Sequence, residues 1–171
     1  MSGDNAAESR APCCSRAQDR FFPVESIEAL LSESYALSDA YDRMGVRLSG
    51  KPSAPIGRLD MPSAAILRGA VQVSGDGVPT ILLADHQTTG GYPKIATVLD
   101  VDLDGFAQLR ARDKVAFVSL SPEQAIERTK TKAVAAARYY SAISKRRGSL
   151  AQRLMGENLI SGVVDAAQPS D

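Results

Sequence analysis

The sequence predicts a mainly β domain, a small barrel or sandwich, entered through a short helix and followed by a long one. Three observations carry this. Between Tyr35 and Ser119 short extended apolar pieces recur at regular spacing, divided by glycine, proline and aspartate, the pattern of a closed or stacked sheet. Helical periodicity flanks that region, around Val24–Leu31 before it and from Ser121 after it. The 171 residues are 44% hydrophobic and 23% charged, which suits one globular domain with its own core. The expected division is a disordered leader over 1–19, a β domain over 20–120, and a helix with a tail over 121–171.

Composition also narrows the partners. Twenty Lys and Arg balance twenty Asp and Glu, so nothing in the overall charge draws the chain to nucleic acid or an anionic membrane, and neither is expected. No run reaches the roughly 18 apolar residues of a membrane span, and MSGDNAAESR lacks the apolar core of a secretion signal, so the expected location is the cytoplasm. Cys13 and Cys14 are the only cysteines. Neighbouring cysteines bridge each other only with strain, and the single histidine, His86, is far along the chain. No metal site is expected, and both cysteines read as free thiols in a flexible tail.

Taken in order, residues 1–19 show neither helical nor strand periodicity. Pro23 followed by Val24, Ile27, Leu30 and Leu31 predicts a helix of two to three turns with proline in its first turn. Tyr35–Leu37 and Met44–Leu48 read as half-buried strands. Lys51–Pro62 carries three prolines and a glycine and reads as a loop. Gly69–Val73 and Pro79–Ala84 flank Gly75-Asp76-Gly77, a hairpin signal. Lys94–Leu99 is a further strand, Asp102–Leu109 one or two helical turns capped by Asp102 or Asp104, and Lys114–Ser119 closes the series. Ser121-Pro122-Glu123-Gln124 is a capping box with proline at the first helical position, and its helix runs to about Arg147, where Gly148 stops it. Ile126, Ala133, Ala137 and Tyr140 share one face of that helix. From Ser121 to Leu150 seven Lys and Arg stand against two Glu, read here as a solvated face because no aromatic residues alternate with the charges. Asn158–Val164 is a candidate edge strand.

One stretch is not ordinary construction. Ile81–Ile95 reads ILLADHQTTGGYPKI, a buried strand running into Asp85, His86 and Gln87, then Thr88, Thr89, Gly90, Gly91, Tyr92, Pro93 and Lys94. Acid, base, hydroxyl and bare backbone N–H groups are gathered within one turn, as in a binding or catalytic loop on a rigid scaffold. An elaborate β-turn, with glycines at positive φ and threonines capping, has the same composition. Composition alone leaves both open.

At DHQTTGGYPKIATV, together with SDAYDRMGVRLSG, GAVQVSGDGVPTILLAD and DLDGFAQLRARDKVAF, the chain resembles the C-terminal half of the biotin-dependent carboxyltransferase-like family. That family includes the C subunit of 5-oxoprolinase, allophanate hydrolase subunit 2, the antagonist of the sporulation kinase inhibitor, and the carboxyltransferase part of urea carboxylase. The resemblance covers Phe21–Ser119, with Asn158–Asp165 as a further segment, and it implies a cyclophilin-like β-barrel, one of two related halves. The first half, with its Gln-Asp-Leu-Gly-Arg-like motif, is not found, so the chain looks like a truncated product, a split gene or an isolated half. A site shared between halves would then be incomplete, and an exposed apolar face would favour homo-oligomers. Ser74 stands where proline is usual, and His86 where arginine is frequent.

The resemblance implies chemistry on amide-like carbonyls: a lactam opened with ATP, or urea carboxylated by carboxybiotin. Both reactions build charge on oxygen, where one preorganised donor is worth on the order of 3 kcal/mol. Asp85, His86 and Gln87 are the candidate catalytic residues, with His86 the better proton carrier near neutral pH. Thr88, Thr89, Gly90, Gly91, Tyr92 and Lys94 are the candidate substrate-binding residues, Lys94 for a carboxylate or phosphate. Gln72, Asp42 and Arg43 join them through the resemblance alone. The phosphate loop G-x-x-x-x-G-K-[ST] is absent from the sequence, so ATP is expected through sister subunits of a 5-oxoprolinase or allophanate hydrolase type complex. Biotin, if involved, arrives on another protein. A non-catalytic regulatory binding module and an inactive gene fragment are the competing readings.

Overall fold

Strands of eight residues or fewer leave two unpaired edges, and this chain removes them by closing the sheet. The computed structural model describes residues 9–15, 18–56 and 61–144. In chain order the elements are β1 (Ser9–Ser15), one 3-10 turn (Asp19–Phe21), α1 (Val24–Ser32), β2 (Ser34–Tyr41), β3 (Gly45–Ser49), β4 (Ala64–Ala65), β5 (Ala70–Val73), β6 (Pro79–Leu82), β7 (Thr89–Gly90), β8 (Lys94–Val98), α2 (Asp100–Phe106), β9 (Lys114–Ser119) and α3 (Pro122–Ile143). Seven strands form a closed barrel in the order β1-β8-β5-β6-β3-β2-β9, and β4 pairs with β7 in a separate ribbon. The chain divides into two units, residues 1–132 and residues 133–171.

The barrel interior follows from strand alternation. Leu37, Val46, Leu48, Val71, Val73, Ile81, Val98, Val115 and Phe117 are all essentially inaccessible and form one cluster with Leu30 of α1 and Leu103 and Phe106 of α2. Each such side chain contributes about 1.5–3 kcal/mol on burial. The hairpin at Gly75-Asp76-Gly77 is present, with Val71 opposite Ile81 and Val73 opposite Pro79. Gly69, at φ +85°, brings the chain into β5, and its amide and carbonyl bond Leu82 and Val98 on the two flanking strands.

The leader requires correction. Ser9–Ser15, expected to lie in a disordered tail, is a barrel strand, antiparallel to β8 with Cys13 opposite Val98 and parallel to β9 with Ala11 opposite Phe117. Ala11 and Cys13 face the core, and both are small. Pro12, lacking an N–H, further masked the strand, although its carbonyl accepts from the Leu99 N–H. Cys13 is a free thiol, as expected, but a buried one. Burial, helped by neighbouring Cys14, pushes its thiol up to about 12. It behaves as a small hydrophobe, not as a reactive group.

The helices differ in one detail. α2 starts at Asp100 with Leu99 as N-cap and no side-chain cap; the aspartates expected to cap it bind arginines. Asp102 accepts two hydrogen bonds from Arg128 of α3, at 2.7 and 2.6 Å, and Asp104 one from Arg68 at 2.9 Å. The capping box of α3 is present: the Gln124 N–H donates to the Ser121 hydroxyl at 3.2 Å, and the Ser121 N–H donates to the Gln124 side chain at 2.8 Å. Of the α3 residues only Ala125 is buried, and the expected apolar face, Ile126 and Tyr140 included, is exposed. Continuation of this helix to Arg147 and the Asn158–Val164 strand lie outside the described residues. Among the described residues no helix is long and apolar enough to cross a membrane, and no three His, Cys, Asp or Glu are grouped to hold a metal ion.

Candidate functional site

Register builds the site. On four adjacent strands Arg47 of β3 lies opposite Thr80 of β6, Thr80 opposite Gln72 of β5, and Gln72 opposite Lys94 of β8. Directly opposed residues share a sheet face. Their neighbours Val46, Ile81, Val71 and Ile95 fill the core, so the four form a polar row on the outer wall. A β-bulge between Val71 and Gln72 shifts the pairing to Lys94.

Such a row would ordinarily be wet, but here the β4–β7 ribbon lies over it. Ile66, just after β4, packs with Ala70 and Leu82 in a second apolar cluster on this outer wall. A Cβ on Gly90 would stand 2.7 Å from Ile66 Cδ1 and 3.3 Å from Gln72 Nε2. A larger residue there would have to displace the Ile66 side chain, so glycine lets the ribbon seat this closely. The left-handed glycines are Gly69 and Gly77, so Gly90 and Gly91 serve close approach and not a reversed turn. Gln72 and Lys94 are buried, 8% and 6% exposed.

Between the wall and the Leu83–Tyr92 loop opens a cleft of about 590 Å³. It brings together five residues singled out from the sequence: Asp42, Gln72, His86, Gln87 and Tyr92. Gln72 Nε2 donates to the Tyr92 carbonyl at 3.4 Å, and its second N–H has no partner among the described residues. His86 Nδ1 lies 2.6 Å from the Gln87 carbonyl. A carbonyl only accepts, so the proton belongs on Nδ1 and the neutral ring presents Nε2 as a base.

The remaining candidates are placed around the cleft, not in it. Asp85 is exposed and paired with Arg43, Nε to Oδ2 2.9 Å, which ties the loop to the β2–β3 turn. Asp42, one of the five in the cleft, also holds that turn, its carboxylate accepting the Met44 and Gly45 N–H groups at 2.8 and 3.0 Å. The Thr88 carbonyl accepts from the Ile66 N–H, and Thr89 and Gly90 pair with Ala65 and Ala64 in the ribbon. Lys94, at the far end of the polar row, has a buried amine without a hydrogen-bond partner among the described residues, and burial lowers its pKa.

Sequence reading missed Arg47, Thr80 and Asp39, which also line the cleft. The available signal was the outward phase of Arg47 between Val46 and Leu48. A smaller cavity of about 410 Å³ shares Tyr41 and Asp42 and is walled by Arg43, Arg68 and Leu83. It contains none of His86–Tyr92.

In the main cleft Asp39 and Asp42 stand against one guanidinium, Arg47, whereas a triphosphate needs several cations or a cradle of N–H groups.

A closed barrel whose outer wall carries a polar cleft under a Gln-Thr-Thr-Gly-Gly loop defines the class of protein. Residues 3–119 match the carboxyltransferase domain, subdomain A and B, and the chain belongs to that family. The match takes in β1, which the resemblance had left out. The chain is similar to the C subunit of 5-oxoprolinase from Haemophilus influenzae, 46% identical over 91 residues, 53% of this chain and 29% of that protein. It is also similar to the C subunit of 5-oxoprolinase from Escherichia coli K12, 36% identical over 106 residues, 62% of this chain and 34% of that one. A third relative is the urea amidolyase of Lachancea kluyveri, 31% identical over 119 residues, 64% of this chain and 6% of that one. Among solved structures, the K. lactis urea amidolyase shares the fold, with a TM-score of 0.68 at 22% identity over 77% of this chain and 9% of that one. TTHA0988 aligns with a TM-score of 0.57 at 32% identity over 70% of this chain and 23% of that one. The chain thus spans about a third of the length of the 5-oxoprolinase subunits.

Proposed function

We propose that the cleft binds an amide-like carbonyl and that the chain works as part of an ATP-dependent lactam hydrolase of the 5-oxoprolinase type. The observation that carries this reading is the meeting of Gln72 on the barrel wall with His86 and Gln87 on the covering loop. The free Gln72 N–H and the Thr80 hydroxyl serve the carbonyl oxygen, where charge develops, and His86 Nε2 moves a proton at the amide nitrogen. Likeness to two 5-oxoprolinase subunits supports the lactam. ATP is assigned to a sister subunit, since this cleft does not suit its phosphates. Similarity to urea amidolyase favours, as a second reading, a urea-type ligand in the same cleft, with any biotin delivered by another protein.

The test combines the purified chain with sister subunits and with polypeptide supplying the rest of the relatives' length, and follows 5-oxoproline-dependent ATP hydrolysis. Activity should fall about 100-fold in Gln72→Ala, the effect of losing one oxyanion donor, and substantially in His86→Ala. An assembled complex without lactam-dependent hydrolysis would refute the assignment.

A further inference from the structure

Arg47 is the one arginine or lysine lining the cleft among the described residues, and the loop sequence does not point to it. It is also fixed. One N–H of its guanidinium goes to Asp76 Oδ2, and the other oxygen of Asp76 accepts from the Ser74 hydroxyl at 2.7 Å and the Val78 N–H at 3.1 Å. These hydrogen bonds, the hydroxyl first, hold the Asp76 carboxyl down at about 2, so the anchor stays charged across the physiological range. A guanidinium has five N–H donors, and among the described residues the others of Arg47 have no partner. Two strand spacings, about 10 Å, separate Arg47 from Gln72 along the polar row, the scale of one small molecule. Asp39 and Asp42 line the same cleft and repel a ligand carboxylate, which leaves Arg47 as its destination.

We infer that Arg47 is the carboxylate-binding residue of the cleft, and that the ligand selected is an amide bearing a carboxylate. The inference rests on the amide-binding reading above and sharpens it: it separates an acid lactam from urea, which has no carboxylate. Asp76 and Ser74 act as positioning residues, presenting the planar donor fork that a carboxylate matches bidentately.

The test uses the full chain and two probes that share a lactam ring and differ in the carboxylate, 5-oxoproline and 2-pyrrolidinone, titrated by calorimetry or ligand-observed NMR. The wild type should prefer 5-oxoproline by about tenfold or more, the worth of a hydrogen bond to a charged group, and added salt should erode that preference. Arg47→Gln, at an exposed ion pair of little stabilising value, should fold normally and lose the preference while holding 2-pyrrolidinone within about twofold. Arg47→Lys should restore part of it, and Gln72→Ala should weaken both probes. Equal binding of the two probes by the wild type, or a preference retained in Arg47→Gln, overturns the role of Arg47 and leaves the amide reading standing. Binding of neither probe overturns both.

Discussion

Lys94 sits in a costly environment. An ammonium buried without a partner is penalised by lost hydration, and burial accordingly lowers its pKa from the ordinary 10.5. The unfolded chain then holds a proton that the folded chain has released, so this residue's contribution to stability rises with pH between its lowered value and about 10.5. Lys94→Met should therefore stabilise the barrel near neutral pH by about 1–3 kcal/mol and remove that alkaline rise in thermal unfolding profiles. Unchanged stability would mean that the amine has a charge partner when folded. At this scale the loop was legible because acid, base, amide and glycine rarely crowd together by chance. Arg47 was not, because what gathers Arg47, Thr80, Gln72 and Lys94 is register across four strands, and spacing along the chain does not encode register. Asp85 and Asp42 read as chemistry from the sequence and stand in the structure as an ion-pair partner and a turn anchor.

Element by element, legibility followed length and punctuation. The β5–β6 hairpin, α1 and the start of α3 each carry a periodic face and a turn or capping signal. β4 and β7, two residues each, are too short to show periodicity, and β1 turns small side chains inward. Two substitutions probe the punctuation. At Gly69 a Cβ would sit 2.4 Å from the Val98 carbonyl oxygen, at φ +85°. Gly69→Ala should cost about 2–3 kcal/mol in denaturant unfolding; a smaller loss would show that β5 can be re-entered from a relaxed backbone. Ser121→Ala removes the acceptor for the Gln124 N–H and should destabilise α3 by about 1 kcal/mol, visible as reduced helical ellipticity on warming. The Arg128–Asp102 clamp, bidentate and partly shielded, should keep the first turns of α3 in place in that variant.

For the whole molecule the decisive contact is closure. β1 joins β8 to β9, and without it the sheet ends in two bare edges and the core loses Ala11 and Cys13. A chain lacking residues 1–15 should lose cooperative unfolding and dispersed amide resonances; a variant of this kind that still melted as one transition would show the remaining six strands to be self-sufficient. The mainly β class and the family were both readable beforehand, the first from regular strand spacing and the second from the Gln87–Val98 string. The closing strand was not, because its evidence lies in partners a hundred residues away.

That distance sets an order of events during synthesis. Ser9 pairs with Val115, so β1 waits for β9, made last of the seven barrel strands, and a product ending before β9 cannot form the closed sheet. As the chain leaves the ribosome, the β5–β6 hairpin can form locally, but β1 remains without its parallel neighbour until residues beyond Ser119 have emerged. So long-range a contact slows folding. Refolding should be limited by docking of the N-terminal strand, and during that interval the open edges of β8 and β9 are where another nascent copy would add.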